Sequence, residues 1–160
     1  MRKSHHIFLG VAGAVFLFVI ALYSGNFLFG KGIPVEQVYE ERAVVAAIVD
    51  GDTFVLNDGR TVRLLGMDTP ERGEPLYGDA RKRLEELSLG KEVMLTKDVR
   101  VADKYNRILR YVFVDEQFVN KILVEEGFAK ILTIPPDIYY AEELREAQKK
   151  ARNEKRGLWQ

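Results

Sequence analysis

The stretch that decides the fold is residues 50–71, D-G-D-T-F-V-L-N-D-G-R-T-V-R-L-L-G-M-D-T-P-E. It contains two segments rich in Val, Leu, Thr and Phe, residues 53–57 and 60–66, which are typical of β-strands. Between them lies Asp58-Gly59, a dipeptide that favours a tight two-residue turn. The sequence therefore predicts a β-hairpin.

The turn also predicts a register for this hairpin. With a two-residue loop, Asn57 lies opposite Arg60 and Asp52 lies opposite Leu65. Arg63 is then a diagonal neighbour of Asp52 on the same face, with the two backbones roughly 7 to 8 Å apart.

The open end of the hairpin releases two further acids, Asp68 and Glu71. Three carboxylates and one guanidinium would then gather in one small region without any long-range assumption. This exceeds what solubility requires, and it is typical of a site for a cation and a phosphate.

Length and charge limit the class of protein. The chain has 160 residues, and removal of its hydrophobic head leaves about 130, which suits one domain with one core. Residues 31–160 carry 22 basic and 24 acidic side chains, a balance of −2. Such a balance excludes a protein that holds nucleic acid by net charge alone.

The residue types that are missing exclude several chemistries. The chain has no Cys, so disulfides, thiolate catalysis and cysteine zinc sites are excluded. Its two histidines, His5 and His6, precede the hydrophobic run, and Ser88 is the one serine after residue 30. A Ser-His-Asp triad and a histidine metal cluster are therefore unavailable, which leaves carboxylates, Arg, Lys, Tyr and hard cations.

Residues 1–30 have the form of a signal-anchor. Ile7–Tyr23 is a run of seventeen uncharged residues that continues through residues 24–29. At about 1.5 Å per residue the run is long enough to cross a bilayer of about 30 Å. Arg2 and Lys3 precede it, so we expect the N-terminus in the cytoplasm and the remainder outside. We favour an uncleaved transmembrane anchor over a cleaved signal, which would give a secreted protein.

Residues 31–42 are expected to form a linker, and residues 43–160 one domain. Strands are expected at residues 43–49, 53–57, 60–66, 91–97 and 108–114. Helices are expected at residues 79–89 and 118–126, with a third that Asp137 caps and whose apolar stripe is Ile138, Ala141, Leu144 and Ala151. Leu158 and Trp159 are expected to fold back onto the domain. This order favours an α+β fold, a five-stranded OB-fold barrel with three helices, preceded by one transmembrane helix.

Three linked motifs carry a family resemblance: V-D-G-D-T at residues 49–53, V-R-L-L-G-M-D-T-P-E at 62–71 and D-K-Y-N-R at 103–107. In that order and at those separations they resemble the staphylococcal nuclease (thermonuclease) family. The resemblance covers about residues 43–159, and it implies an OB-fold barrel with three helices.

The resemblance implies a metal site. The family's carboxylate ligands match Asp52 and Asp68, and a backbone carbonyl ligand matches Thr69. These are hard oxygen ligands suited to Ca²⁺, and their small number leaves positions for water or a substrate phosphate. Taken alone, residues 50–52 are better explained as an acidic turn, and Asp68 with Glu71 as a helix-capping box. Gly73 and Pro75 argue against the capping box because no helix can follow directly.

The resemblance also assigns the catalytic residues. Glu71 is implied as the base that activates water, and Arg63 and Arg107 as the arginines that stabilise the charged phosphorane. Lys104 and Tyr105 resemble contacts to the flanking substrate phosphate. Without the motifs, each of these side chains could equally be an ordinary solvated residue.

The sequence also departs from the family pattern. Where the family has two tyrosines that stack on the nucleotide, this chain has Thr133 and Pro135. The loss of stacking is expected to cost about 1 to 3 kcal/mol per base. Tyr139 or Tyr140 could substitute, although packing against a helix is the ordinary role of such residues. The loop 72–76 also lacks the family's lysines.

Together these features predict a Ca²⁺-dependent nuclease that hydrolyses single-stranded or frayed DNA and RNA outside the cytoplasm. The chain is expected to be a monomer held to the lipid bilayer through residues 7–29, with no protein partner. Two alternatives remain: a non-catalytic binding module of the same fold for nucleic acid or protein, tethered to the membrane, and a structural domain at the membrane surface.

Overall fold

A closed β-barrel forms the centre of the computed structural model, which describes residues 40–160. The long strands are β1 (Glu40–Ile48), β2 (Thr53–Leu56), β3 (Thr61–Leu64), β5 (Glu92–Thr96) and β6 (Ile108–Val114). They follow the order β3-β2-β1-β5-β6, and a parallel pairing of β3 with β6 closes the barrel. The predicted five-stranded barrel is confirmed.

Three short strands supplement the barrel. They are β4 (Met67–Asp68), β7 (Gln117–Phe118) and β8 (Lys130–Ile131). β4 pairs with β8 in a separate two-stranded sheet, whereas β7 extends the main sheet beside β6. Two residues are too few to show an alternating pattern, which is why the sequence did not reveal these strands.

Three α-helices and a final turn pack around the barrel, as the sequence predicts. The helices are α1 (Tyr77–Ser88), α2 (Val119–Glu125) and α3 (Ala141–Asn153), and a 3₁₀ turn spans Gly157–Trp159. Leu158 and Trp159 are half-buried, as expected, and the Arg152 guanidinium lies 4.3 Å from the centre of the Trp159 ring. Within residues 40–160, no helix is both long enough and apolar enough to cross a bilayer. The anchor expected in residues 1–30 lies outside the described residues.

The predicted start of the third helix is wrong. Asp137 does not cap α3, which begins four residues later. Instead its carboxylate is buried at 3% exposure and accepts hydrogen bonds from the backbone N–H and the Nε of Arg100. Ile138, predicted to begin the apolar stripe, is 52% exposed because it lies in the turn before the helix.

The predicted register of the hairpin is also wrong, by one residue. Thr53 pairs with Arg63 and Phe54 with Val62, and Leu56 N donates to Arg60 O at 2.9 Å, so this last hydrogen-bonded pair encloses three residues, 57–59, instead of two. Gly59 occupies the left-handed region at φ +88, as a three-residue loop requires. The Asp58 carboxylate favours this loop because it accepts hydrogen bonds from the backbone and Nε of Arg60.

β1 begins three residues earlier than predicted. Its first residue, Glu40, pairs with Thr96 of β5, and Glu41 forms an ion pair with Arg60. These polar residues extend the strand because β5 pairs with them and Arg60 binds Glu41. The apolar run in the sequence indicates neither of these partners.

The segment that leads from β3 to β4 is fixed to the core by a glycine and an asparagine. Gly66 has φ +77, and a Cβ on it would lie 2.5 Å from Leu144 Cδ1. The buried Asn120 accepts from Val112 N and donates to the Leu65 carbonyl at 2.8 Å. Helices α2 and α3 therefore set the position of the residues on either side of Gly66.

Candidate active site

Arg63 is the central side chain of the site. It lies on β3, and its Nη1 donates to the carbonyl oxygens of Leu64 at 2.9 Å and Met67 at 3.0 Å. Its Nη2 lies 2.9 Å from Asp52 Oδ2 and donates to Asp68 Oδ1 at 3.0 Å. The chain bends at Gly66, and one guanidinium bonds to both flanks of this turn and to both predicted metal-ligand carboxylates.

Asp52 is the buried carboxylate of the site, at 5% exposure. Oδ1 accepts from the Thr53 hydroxyl at 2.9 Å, and Oδ2 accepts from the backbone N–H and the hydroxyl of Thr69 at 3.1 and 3.0 Å. Burial raises the pKa of Asp52 to about 6, and the nearby Asp50 adds to the rise, although Arg63 and these hydrogen bonds oppose it. The folded domain thus holds a carboxylate whose charged form is costly without a further cation.

Asp68 is the more accessible partner of Asp52. It lies on β4 opposite Lys130 of β8, and the Lys130 Nζ is 4.0 Å from Asp68 Oδ2. Its side chain is 31% exposed, against 8% for that of Asp52. The structure therefore brings one buried and one solvent-facing carboxylate onto the same guanidinium nitrogen.

The donor set fits a hard divalent cation. Two carboxylates share one guanidinium, the further cation beside them is the largely exposed Lys130 at 4.0 Å from Asp68, and burial penalises the charged form of Asp52. Within residues 40–160, no three His, Cys, Asp or Glu side chains are grouped as a metal site. A cation held here would therefore need backbone carbonyl, water or substrate oxygens besides Asp52 and Asp68, as the prediction with Thr69 requires.

Glu71 follows Thr69 and Pro70 in the chain. It is exposed, its backbone N–H donates to Glu74 Oε2 at 2.7 Å, and its carbonyl accepts from Glu74 N at 2.9 Å. Among the described residues its carboxylate has no hydrogen-bond or ion-pair partner. The structure thus places Glu71 two residues from Thr69, with a carboxylate free to accept a proton but without contact to Arg63.

A separate loop positions Arg107. The Asp103 carboxylate accepts from the backbone N–H groups of Tyr105 and Arg107 and from Arg107 Nε at 2.8 Å. Partial burial acts to raise the pKa of Asp103, but the bonds from Arg107 and Tyr105 outweigh it and hold the pKa below its ordinary value. Asp103 therefore stays ionised and orients the guanidinium from within its own loop.

Lys104 and Tyr105 form the outer part of the same loop. Both are exposed, and the Lys104 Nζ lies 5.0 Å from the centre of the Tyr105 ring. The Arg107 guanidinium lies 5.5 Å from that ring. Two cations flank one aromatic ring, an arrangement that can contact a phosphate and a base together.

Arg63 and Arg107 line one cleft of about 160 Å³. The sequence predicted both arginines as site residues, and the structure brings them to a common cavity. It also adds residues that were not predicted, namely Arg100, Leu132, Ile134 and Asp137. No motif marks the Arg100–Asp137 pair, since it joins residues 37 positions apart.

The two candidate substitutes for the missing stacking tyrosines differ in exposure. Tyr140 packs edge-on against Tyr111 with ring centres 4.7 Å apart, and it also contacts Phe118. Tyr139 is 69% exposed, and Thr133 and Pro135 are exposed as well. Tyr140 is therefore a packing residue, whereas Tyr139 presents its ring to solvent.

Sequence comparisons relate this chain to known proteins. A sequence model of the family described as "Staphylococcal nuclease homologue" matches residues 61–160. The thermonuclease of Staphylococcus intermedius is 31% identical over an alignment that covers 100% of this chain and 99% of that protein. The thermonuclease of Staphylococcus hyicus is 32% identical over 78% of this chain and 76% of its own.

A relative outside the staphylococci extends the same pattern. Endonuclease YncB of Bacillus subtilis is 37% identical over 69% of this chain and 58% of its own length. The barrel, the three helices and the paired carboxylates and arginines are the features that the family resemblance predicts. The chain belongs to the staphylococcal nuclease family.

Proposed function

We propose that this protein is a Ca²⁺-dependent nuclease that hydrolyses phosphodiester bonds of DNA or RNA outside the cytoplasm. Membership of the family supports hydrolysis of nucleic acid, because the matching relatives are named as nucleases. The single observation that carries the proposal is the convergence of Asp52 and Asp68 on Arg63, with Arg107 on the same cleft.

The two arginines are the groups that meet the phosphate. Attack of water on phosphorus forms a bond from the water oxygen to phosphorus and breaks the bond to the 5′ oxygen. The departing 5′ oxygen takes up a proton from solvent, so one product carries a 3′ phosphate and the other a 5′ hydroxyl. The five-coordinate intermediate gains negative charge on its equatorial oxygens, and guanidinium donors stabilise that charge. Arg63 is held by four acceptors and Arg107 by Asp103, so both are oriented before substrate binds.

Glu71 is the proposed base. Its exposed carboxylate has no partner among the described residues, so it is available to accept a proton from an attacking water. The proline before it, Pro70, is buried and restricts the backbone between Thr69 and Glu71. Two residues thus separate Glu71 from Asp68 in the chain. To act as the base, the Glu71 carboxylate must lie within hydrogen-bond distance of the attacking water.

Asp52, Asp68 and the carbonyl of Thr69 are the groups that would hold Ca²⁺. When bound, the cation supplies charge neutralisation at the phosphate and a position for water. The protein's part is to bury Asp52, fix it with Thr53 and Thr69, and leave Asp68 open to solvent. Since so few protein ligands are available, we expect weak cation binding that substrate strengthens.

The substrate proposed is a single-stranded or frayed strand. The cleft is lined by three arginines, Arg63, Arg100 and Arg107, beside apolar side chains that include Leu132 and Ile134. Lys104 and Tyr105 lie at the outer end of the Arg107 loop. An unpaired base can occupy such a surface, whereas a paired base within a duplex cannot. Attachment to the membrane by residues 7–29, with the domain on the outer side, is part of the proposal and is supported by the uncharged run and the preceding Arg2 and Lys3.

One experiment separates the enzyme from a non-catalytic binding module. The full-length chain in detergent is mixed with end-labelled single-stranded DNA or RNA, with Ca²⁺ or with chelator. We expect cleavage with Ca²⁺, loss of cleavage with chelator, and a decrease of about 10²-fold or more in Glu71→Gln.

Glu146→Gln is the matched control, because Glu146 is exposed on α3 and pairs with Lys149 at 3.5 Å, away from the site. This variant should cleave like the unmodified chain. Binding of the labelled strand without any Ca²⁺-stimulated cleavage would establish the binding module instead.

A further inference from the structure

Exposed apolar side chains are concentrated in two segments of the described chain. Among residues 40–160, seven of the nine exposed large hydrophobic side chains lie in residues 99–105 and 132–139. Three of the seven belong to the substrate region, since two line the cleft and Tyr105 flanks Arg107. The other four lie outside the cleft and form what we call the end patch: Val99, Val101, Ile138 and Tyr139, exposed by 61%, 56%, 52% and 69%.

Two polar links hold the segments of the end patch side by side. Asp98 Oδ2 accepts from Tyr139 N at 2.9 Å and from the Tyr111 hydroxyl at 3.1 Å. The buried Asp137 accepts from Arg100 N at 2.8 Å and from its Nε. The apolar side chains that neighbour these links are therefore fixed on the outside of the domain by hydrogen bonds, and their exposure is a property of the fold.

The described chain begins beside the end patch. Glu40 pairs with Thr96, the last residue of β5, and Val99 follows three residues later. Upstream of Glu40 the sequence contains the uncharged run Ile7–Phe29 and then ten residues, 30–39. Ten residues span at most about 35 Å, so whatever surface the uncharged run binds is within reach of this end of the barrel.

The charges around the end patch are mixed. Lys97 is exposed directly beside it, and Lys104 is exposed on the adjoining loop. Asp137 is paired with the Arg100 guanidinium, whereas Asp98 accepts from the neutral Tyr139 N and Tyr111 hydroxyl, and the exposed Glu40 lies opposite Thr96. Exposed aliphatic side chains, one tyrosine and flanking lysines are the composition that binds a lipid interface.

We propose that the end patch docks onto the lipid bilayer in which the uncharged N-terminal run is inserted. The inference depends on the membrane attachment in the proposed function and goes beyond it, because it assigns the domain its own lipid contact. A nucleic-acid strand is the competing occupant. The bilayer is favoured because the four side chains lie outside the cleft and belong to segments close to Glu40, the first residue that the structure describes. Docking would hold the cleft close to the membrane surface in one orientation.

The absence of cysteine makes a direct test possible. A single cysteine is introduced in the full-length chain as Ile138→Cys and labelled with an environment-sensitive nitrobenzoxadiazole group. The matched control is Leu89→Cys, at an apolar site that is 39% exposed. Leu89 lies three residues before β5 begins, whereas Val99 of the end patch lies three residues after β5 ends, so the control site is at the other end of that strand. Both proteins are reconstituted into vesicles of phosphatidylcholine and phosphatidylglycerol, with and without brominated acyl chains.

We expect the label at residue 138 to emit at shorter wavelength in vesicles than in detergent-free buffer, and to be quenched several-fold more by brominated lipid than the label at residue 89. Equal, water-like signals from both labels in protein that floats with the vesicles would overturn the docking but leave the anchor intact. Protein that does not float with the vesicles would contradict both the docking and the membrane anchor. A shift at residue 138 that requires added single-stranded DNA would assign the patch to nucleic acid. Cleavage assayed in the same vesicles reports the nuclease function separately.

Discussion

The two arginines of the site are held in different ways. Arg63 bonds to two carboxylates and two carbonyl oxygens contributed by three segments of the chain, and its side chain is 12% exposed. Arg107 bonds to Asp103, four residues before it in the same loop, and its side chain is 30% exposed. The first arginine is therefore part of the tertiary structure as well as of the site, whereas the second belongs to a self-contained loop. Replacing each arginine in turn should therefore separate its contribution to catalysis from its contribution to stability.

Arg63→Ala is expected to give the largest effect. It removes a phosphate-stabilising donor, and it leaves two carboxylates, one of them buried, without their guanidinium. We expect cleavage to fall by about 10²-fold or more and the free energy of unfolding to fall by about 3 kcal/mol. Both are measured on the same preparation, by cleavage of labelled DNA and by urea unfolding in chelator.

Arg107→Ala is the matched variant. Its cleavage should also fall by about 10²-fold or more, but its free energy of unfolding should change by less than about 1 kcal/mol, because the pair it breaks is local and partly solvated. Comparable losses of stability in the two arginine variants would contradict the distinction between a tertiary and a local arginine.

Asp52→Asn is expected to stabilise the metal-free protein at neutral pH. The pKa of Asp52 is raised from 3.8 to about 6, so the charged form is disfavoured in the folded state. Because a tenfold change in an acid dissociation constant corresponds to about 1.4 kcal/mol, we expect a gain of about 1 to 3 kcal/mol in the free energy of unfolding near pH 7. Cleavage should be lost in the same variant, because the neutral amide is a weaker ligand for a hard cation.

The sign of the pH dependence follows from the raised pKa. Between about pH 4 and 6 the folded protein keeps the Asp52 proton that the unfolded chain releases, so this group favours folding at low pH and the benefit is lost as pH rises through about 6. The stability gain of Asp52→Asn over the unmodified chain should therefore be absent near pH 4 and appear as pH rises. Urea unfolding in chelator across this range measures it, and a gain that is independent of pH would show that charge burial is not its cause.

Asp103→Asn should give the smallest effect on stability, and of the opposite sign. The pKa of Asp103 is held below its ordinary value by bonds from Arg107 and Tyr105, so its charged form stabilises the fold near neutral pH and that benefit is lost as pH falls through the lowered pKa. The variant should be slightly less stable than the unmodified chain at pH 7 and equal to it in acid, as urea unfolding can measure. A variant more stable at pH 7 would contradict the assigned role.

The sequence predicted what depends on local pattern. The apolar run 108–114 coincides with β6, and the five long strands and three helices are all present. The sequence-based prediction failed where a contact with a residue far away in the chain determines the local structure. Asp137 looked like a helix cap because its bond to Arg100, 37 residues away, is invisible in the sequence. The Asp58-Gly59 turn gained a residue because Arg60 pairs with both Asp58 and Glu41.

The candidate site likewise contains residues that local sequence predicted and residues that only long-range contacts bring in. Asp52, Arg63 and Asp68 were expected close together from the hairpin alone, and they are in contact even though the register differs by one residue. Lys130, Leu132 and Ile134 join the site from the region of β8, after α2, and no local motif indicates them. The pairing of β4 with β8 depends on how α2 returns the chain, which periodicity does not specify.

The proposed site depends on one cation that Asp52 and Asp68 share beside Arg63. Its most direct test is the Ca²⁺ concentration that gives half-maximal cleavage by the full-length chain and by Asp68→Asn. The more exposed carboxylate can be replaced with little effect on folding, so we expect a rise of about tenfold or more in that concentration, the equivalent of about 1.4 kcal/mol of lost cation binding. An unchanged half-saturating concentration, or full cleavage in chelator, would contradict the claim.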